Sequence, residues 1–119
     1  EQVTRQMALL QETYDVLLSP TLTKPPVEIG KLSLNQDNAS YEREAVSVSA
    51  FTSLYNGTGQ PAMSVPLHWT EDGLPVGVMF AGRYGEEALL FQLAGQLEAA
   101  ASWFDRVPPA MGRPTVSSS

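Results

Sequence analysis

Two apolar runs separated by a short polar turn dominate the pattern of hydrophobic and polar positions in this chain. The first run covers Ala62–Trp69 and the second covers Leu74–Ala81, with an Asp-Gly pair between them. Asp-Gly between apolar runs is a strong signal for a β-hairpin, because glycine accepts the positive φ that tight turns need. We therefore predict antiparallel strands over Ala62–Trp69 and Val76–Ala81, with the turn at Glu71–Gly73.

The two predicted strands need cover on both faces. The second run contains Val-Gly-Val-Met-Phe, which is apolar at nearly every position, and such a strand is normally buried from both sides. Proline cannot donate a hydrogen bond to a ladder, so Pro75 fits a strand start, whereas Pro66 predicts a bulge inside the first strand. The hairpin is therefore expected inside a larger sheet.

Helices are predicted on either side of the hairpin. Apolar residues recur at helical spacing in Glu1–Thr13 and in Glu86–Ala101. Another helix is expected over Ser40–Tyr55, with Ser40 as its N-cap and Asn56-Gly57 as its stop.

The other stretches are predicted to be a strand, a loop and a tail. Val16–Ser19 is typical of a short buried strand, stopped by Pro20, and Thr21–Asn38 of a long loop broken by proline, glycine and asparagine. From Trp103 onward the Pro, Gly and Ser content indicates a tail over the surface.

Composition narrows the class of protein. A length of 119 residues suits one domain or part of one, and 43% hydrophobic with 17% charged residues is typical of an ordered globular segment. The net charge of -6 argues against nucleic acid or an anionic membrane surface as a partner. Cysteine is absent, which excludes a disulfide framework and a thiolate nucleophile. We expect a cytoplasmic setting.

Candidate catalytic groups are few. The lone His68 is interpreted as a packed or hydrogen-bonded core residue, and one histidine cannot make a His-rich metal site. Ser64 lies in a strand rather than in a G-x-S-x-G elbow, so its hydroxyl is expected to bond locally. Nothing apolar surrounds Lys24 and Lys31, which argues against a general-base role. Close carboxylate pairs are interpreted as solvated surface: Glu42/Glu44, Glu71/Asp72 and Glu86/Glu87.

The loop Asn56–Pro61, with the sequence N-G-T-G-Q-P, is the stretch most open to a ligand role. Its two glycines allow the backbone to approach a ligand closely. It is not a phosphate loop, because the G-x-x-x-x-G-K-[ST] frame is missing. Two interpretations stay open: pocket lining, or a helix C-cap followed by a turn, which explains Gly57 fully and Gly59 in part.

Five blocks of sequence follow one another along about Tyr14–Pro109. They are Y-D-V-L-L-S-P-T, F-T-S-L-Y-N-G-T-G-Q-P-A-M-S-V-P-L, D-G-L-P-V-G-V-M-F-A-G-R, E-E-A-L-L-F-Q-L-A-G-Q-L-E and the P-P of the tail. In order and spacing they resemble the C-terminal portion of amidase signature enzymes. The resemblance implies an α/β fold, a mixed-sheet α/β/α sandwich, of which this chain supplies helix, short strand, long loop, helix, β-hairpin and helix. Residues 1–109 would belong to one amidase domain, and 110–119 would be a flexible tail.

The same resemblance implies hydrolysis or transfer at an amide carbonyl by a serine nucleophile, a second serine in a cis peptide and a lysine. No residue here matches that motif, so no catalytic residue is assigned to this chain, which alone should be inactive. The resemblance places the loop near the substrate pocket, and the predicted substrate-binding residues are Asn56, Thr58, Gly59 and Gln60. No metal and no cofactor are expected. The expected partners are a small amide and the missing N-terminal part of the same protein, and a homo-oligomer stays open.

Alternatives remain inside and outside this family. The run P-L-H-W-T-E-D-G-L-P-V-G-V-M-F-A-G-R and the ending W-F-D-R-V-P-P resemble bacterial hydrolases of the 6-aminohexanoate cyclic dimer type. The amidase-type subunit of glutamyl-tRNA amidotransferase is the rival within the family. The rival from another class is a stand-alone, non-catalytic module that binds through exposed apolar sheet faces.

Overall fold

A computed structural model of the chain describes residues 1–108, which form four helices and one three-stranded sheet. The predicted tail at 110–119 lies outside the described residues. Across residues 1–108, no helix combines the length and the apolar surface that crossing a membrane needs. In chain order the elements are α1 (Gln2–Gln11), β1 (Leu17–Pro20), α2 (Asn38–Ser49), α3 (Thr52–Thr58), β2 (Ala62–Trp69), β3 (Pro75–Ala81) and α4 (Glu87–Ala100).

The predicted hairpin is confirmed. Strands β2 and β3 pair antiparallel, with Val65 opposite Val78, and the register shifts between Val65 and His68, where Pro66 interrupts the ladder. In the turn, the Gly73 N–H donates to the Thr70 carbonyl at 2.9 Å, and Gly73 has a φ of 82°. The Asp-Gly signal and the proline therefore predicted both the turn and the bulge.

Strand β1 pairs antiparallel with the other side of β3, so that the strand order is β1-β3-β2. The prediction of a buried strand stopped by Pro20 is wrong. Leu18 is 68% exposed, and Pro20 is itself the last residue of β1, opposite Val78. Proline fits here because, among residues 1–108, β1 is the edge strand of the sheet, so one side of it needs no N–H donor.

The expected cover on both faces of the sheet is present where β3 ends. On one face Val65, Phe80 and Leu90 form the buried core, and more of β2 and α4 packs around them. On the other face Met79 lies beside α3 residues, and Met79 and Ala81 are both buried. The start of β3 is only half-buried. Burial on both faces is therefore confined to the end of β3, next to the loop Asn56–Pro61.

The helix predicted over 40–55 is two helices, α2 and α3, and the residue predicted to cap it is also wrong. The N-cap is Asp37, whose Oδ1 accepts the N–H of Ser40 at 2.9 Å. The break follows from a contact with the long loop. The Thr23 N–H donates to the Val48 carbonyl at 3.1 Å, and the Thr23 hydroxyl donates to Ser47. Those carbonyls are the acceptors that a continuous helix would offer to the next turn.

Helices α1 and α4 agree with the predicted segments within one or two residues. After α4 the chain returns to the hairpin. Trp103 packs against the core, and the Arg106 guanidinium lies 4.7 Å from the centre of the Trp69 ring. This contact holds the end of the described chain over the surface of the sheet.

Candidate functional site

The loop between α3 and β2 begins three residues later than the sequence predicted. Helix α3 continues through Asn56 and Gly57 to Thr58, and the left-handed cap is Gly59, with a φ of 72°. The N–H of Gly59 donates to the Tyr55 carbonyl at 2.9 Å, which closes the last turn. The assignment of Gly57 as the helix stop is therefore corrected, and the glycine with positive φ stands nearer the strand.

Gln60 is held by two acceptors from different parts of the chain. Its Nε2 donates to the side-chain oxygen of Gln11 and, at 3.3 Å, to the Gly82 carbonyl. The backbone reinforces this attachment, because the Gly82 N–H donates to the Pro61 carbonyl at 2.9 Å. The loop is thereby fixed to the end of α1 and to the residue that follows β3.

A partly exposed arginine connects the surrounding elements. Arg83 Nε donates to the backbone carbonyl of Gln11 at 2.7 Å, and one terminal nitrogen lies 2.8 Å from Asp15 Oδ1. The other terminal nitrogen lies 3.4 Å from a Glu86 oxygen. Because two carboxylates neutralise the guanidinium, Arg83 joins α1, the approach to β1 and the start of α4 rather than presenting a free positive charge.

Two cavities flank the loop. The first has a volume of about 360 Å³ and is lined by Thr58 and Gln60 together with Gln11, Arg83 and Tyr84, among others. The second, of about 310 Å³, is lined by Asn56 and Gln60 together with residues of α3 and the sheet. Of the predicted site residues, Gln60 lines both cavities, Thr58 and Asn56 line one each, and Gly59 lines neither.

The predicted site residues differ in what they offer to a ligand. Asn56 is exposed, whereas Thr58 is only 9% exposed, and its hydroxyl finds no hydrogen-bond partner among residues 1–108. Gly59 has open space around it, since an added Cβ would meet only Tyr84 Cε2, at 3.9 Å. Burial raises the pKa of the Tyr55 hydroxyl above its ordinary value, because the charged form is poorly solvated there.

Two expectations about other polar residues are corrected. His68 is exposed rather than packed in the core, and it stands opposite Val76 beyond the bulge at Pro66. The Ser64 hydroxyl does not bond locally but pairs with the Thr21 hydroxyl, 43 residues away, at 2.6 Å. The two hydroxyls lie directly over Gly77, where the sheet has no side chain. Lys24 and Lys31 are exposed, as expected.

Gln11, Arg83 and Tyr84 are the site residues that the sequence did not indicate. All three line the first cavity beside Thr58 and Gln60. Gln11 is a polar position in the helix predicted over Glu1–Thr13, and only a contact across 70 residues reveals its burial. Arg83 ends the sequence block D-G-L-P-V-G-V-M-F-A-G-R, and its place in that block is the one signal in the sequence that could have indicated it. Within residues 1–108, no cluster of three or more His, Cys, Asp or Glu side chains could hold a metal ion.

The chain belongs to the amidase family, whose model matches residues 1–91. Over 101 residues it is 41% identical to the 6-aminohexanoate-cyclic-dimer hydrolase of Paenarthrobacter ureafaciens, an alignment that covers 80% of this chain and 20% of that protein. The chain thus spans about a fifth of the length of this curated relative. The resemblance stated from the sequence blocks is confirmed.

Solved structures show the same relationship in the fold. Structures of 6-aminohexanoate cyclic dimer hydrolase, alone and complexed with substrate, match with a TM-score of 0.81 and 35% identity, over 92% of this chain and 24% of theirs. A glutamyl-tRNA(Gln) amidotransferase subunit from Thermotoga maritima matches with a TM-score of 0.67 and 28% identity, over 82% of this chain and 20% of that one. The predicted fold class, part of an amidase-type α/β domain, is confirmed.

Proposed function

We propose that the whole protein to which these residues belong hydrolyses an amide bond through an acyl-serine intermediate. The observation that carries the proposal is the agreement of sequence and fold with an amide hydrolase along nearly the whole described chain. In such a reaction a serine oxygen attacks the amide carbonyl and the amine leaves with a proton. Water then releases the acid and regenerates the serine.

The proposal assigns the nucleophile and its base to residues outside this chain. The hydroxyl of Ser64 is paired with that of Thr21, and His68 is exposed on the far side of a bulge. Neither Lys24 nor Lys31 is buried beside a serine. None of these groups has the nucleophile-to-base arrangement that covalent catalysis needs.

The part assigned to this chain is structural support and one wall of the substrate pocket. Residues Asn56, Thr58, Gly59 and Gln60 are proposed to shape substrate choice, and the position of their loop between two cavities supports this role. Because Gln60 is bound to Gln11 and Gly82, we assign it to holding the loop in place rather than to direct contact with substrate.

For the substrate we propose a cyclic or linear amide of the 6-aminohexanoate type, because the relative of that name shares 41% of its aligned residues with this chain. Transamidation of glutamyl-tRNA is the second candidate, and the match to the amidotransferase favours it less strongly, at a lower identity and TM-score. For location and assembly, the proposal is a cytoplasmic enzyme, acting as a monomer or homo-oligomer, that takes a small amide without nucleic acid or a membrane as partner.

The test is amine release by the purified whole protein. We expect it to hydrolyse 6-aminohexanoate cyclic dimer or a small linear amide without added tRNA or partner subunits. Amine release that requires both tRNA and partner subunits would favour the amidotransferase instead. A whole protein that is folded and releases no amine under either condition would support the non-catalytic module.

A further inference from the structure

Gln11 is an unusual residue for the end of a surface helix. Its side chain is 1% exposed, although the preceding Leu9 and Leu10 are 57% and 45% exposed. Burying a primary amide is unfavourable unless its donor and acceptor groups find partners. An amphipathic helix that buries its glutamine and exposes its leucines is therefore organised around the contacts of that amide.

The side-chain amide and the backbone carbonyl of Gln11 all have hydrogen-bond partners near the loop. Its Nε2 donates to the Ala81 carbonyl at 3.3 Å, and its Oε1 accepts the Nε2 of Gln60. Its backbone carbonyl accepts Nε of Arg83 at 2.7 Å. Gln11 thus bridges the end of β3 and the loop with one side chain.

We propose that Gln11 is a positioning residue that, through Gln60, sets the place of the loop Asn56–Pro61 relative to the end of β3. This inference rests on the proposed function, in which that loop shapes substrate choice. Gln60 Nε2 uses Gln11 and Gly82 as its two acceptors. Without the Gln11 oxygen, one donor of this half-buried amide loses its partner, which favours a displaced loop.

The amide donors of Gln11 and Gln60 both bond to the protein's own chain, as a positioning role requires. Thr58 and Gln60 line the adjoining cavity, and Thr58 Oγ1 and Gln60 Oε1 are buried without a hydrogen-bond partner among the described residues. The positioning role therefore rests on the Nε2 donors of the two glutamines and not on these two oxygens.

The first test is the substitution Gln11→Met in the whole protein, which removes the hydrogen bonds and keeps the side-chain volume. Gln6→Met is the matched control, because Gln6 lies on the same helix with an exposed side chain. For two amides that differ in acyl size, we expect Gln11→Met to change the ratio of their kcat/KM values about tenfold. Gln6→Met should leave that ratio unchanged.

A second variant, destabilised as much as Gln11→Met, distinguishes a positioning role from a merely structural one. Leu93→Ala removes a side chain that packs on the hydrophobic core rather than on the loop. The substrate ratios of Leu93→Ala and Gln11→Met are compared under conditions in which both variants have lost the same number of degrees in melting temperature. We expect the substrate ratio to change only in Gln11→Met. An equal change in both variants would overturn the positioning role.

A double-mutant cycle tests the path through Gln60. If Gln11 acts through Gln60, then Gln11→Met combined with Gln60→Ala should change the substrate ratio no more than Gln60→Ala alone. Additive changes would show that Gln11 affects substrate choice by another route and would overturn the inference.

Hydrogen exchange gives a readout that does not depend on activity. The Gly82 N–H bonds to Pro61 and the Gly59 N–H bonds to Tyr55, so Gln11→Met should speed their exchange at least about tenfold relative to Gln6→Met. Unchanged exchange would overturn the inference even in an active enzyme. Faster exchange in a protein that hydrolyses no amide would instead mean that the loop is held as described and that the proposed function fails.

Discussion

Arg83 donates through Nε to the backbone carbonyl of Gln11 at 2.7 Å, and so joins the segment after β3 to the last residue of α1. The same guanidinium reaches Asp15 at 2.8 Å and Glu86 at 3.4 Å. One planar group with donors on several sides therefore joins the segment that contains Gln11 and Asp15 to the start of α4, which is distant from it in sequence.

Removing this guanidinium should lower the stability of the whole protein. We expect Arg83→Met to reduce the free energy of unfolding by about 1 kcal/mol, since the side chain is partly exposed and water screens its ion pairs. Arg83→Lys should recover little, because one ammonium cannot reach three partners. Urea denaturation measures both, with Arg43→Met as the control, since Arg43 is exposed on α2 and has no ion pair within residues 1–108.

Gly77 should not tolerate a side chain. An added Cβ would lie 2.5 Å from Ser64 Oγ and 2.7 Å from Thr21 Oγ1, so we expect Gly77→Ala to cost about 1–3 kcal/mol of unfolding free energy. Gly95→Ala is the matched control, because nothing lies within 4 Å of the added Cβ in α4. That change should be neutral or stabilising. Equal effects of the two substitutions would show that β1 and its following loop do not lie over Gly77.

The two glycines near the loop should respond differently to alanine. Gly59 has a φ of 72° and open space around it, so Gly59→Ala is expected to cost about 1–2 kcal/mol through backbone strain alone. Gly59→Asn should cost less, because asparagine tolerates the left-handed region. Gly57→Ala, inside the helix with open space, should be neutral or stabilising. Thermal unfolding measures the melting temperatures of the three variants. A melting temperature lowest in Gly57→Ala would contradict this prediction.

The start of α2 should depend on pH through Asp37. Hydrogen bonds from Ser40 hold the pKa of the Asp37 carboxyl below its ordinary value of 3.8. A carboxyl whose pKa is lowered by folding stabilises the helix above its unfolded-state pKa, and this contribution is lost as the pH falls through the folded-state pKa. We expect the Ser40 amide to lose protection from exchange in acid below that range. Asp37→Asn should keep a cap and remove this pH dependence, and an identical acid profile for both proteins would contradict the assignment.

Local signals in the sequence were sufficient for the hairpin. The Asp-Gly pair, the two apolar runs and Pro66 gave its turn, strands and bulge, because all three act through neighbouring residues. The family was also recognisable from the order of its sequence blocks. The loop with Asn56, Thr58 and Gln60 was found as a candidate, and its part in substrate choice stays a prediction.

Contacts between distant residues explain what the sequence did not indicate. Thr23 donates hydrogen bonds to the carbonyls of Ser47 and Val48, and the helix expected over Ser40–Tyr55 is divided into two at this point. Gln11 is a polar position of a helix by every local criterion, and only its partners across the fold make it a buried residue. Periodicity cannot show such contacts, because they depend on where separate elements meet.

The most direct measurement of the central claim is to locate the reactive serine of the whole protein. The protein is treated with a serine-directed sulfonyl fluoride, amine release is followed in parallel, and the labelled peptide is identified by mass spectrometry. We predict one label on a serine that does not belong to these 119 residues, with labelling in proportion to lost amide hydrolysis. A stoichiometric label on Ser64, or on another serine of this chain, that abolishes amine release would contradict it.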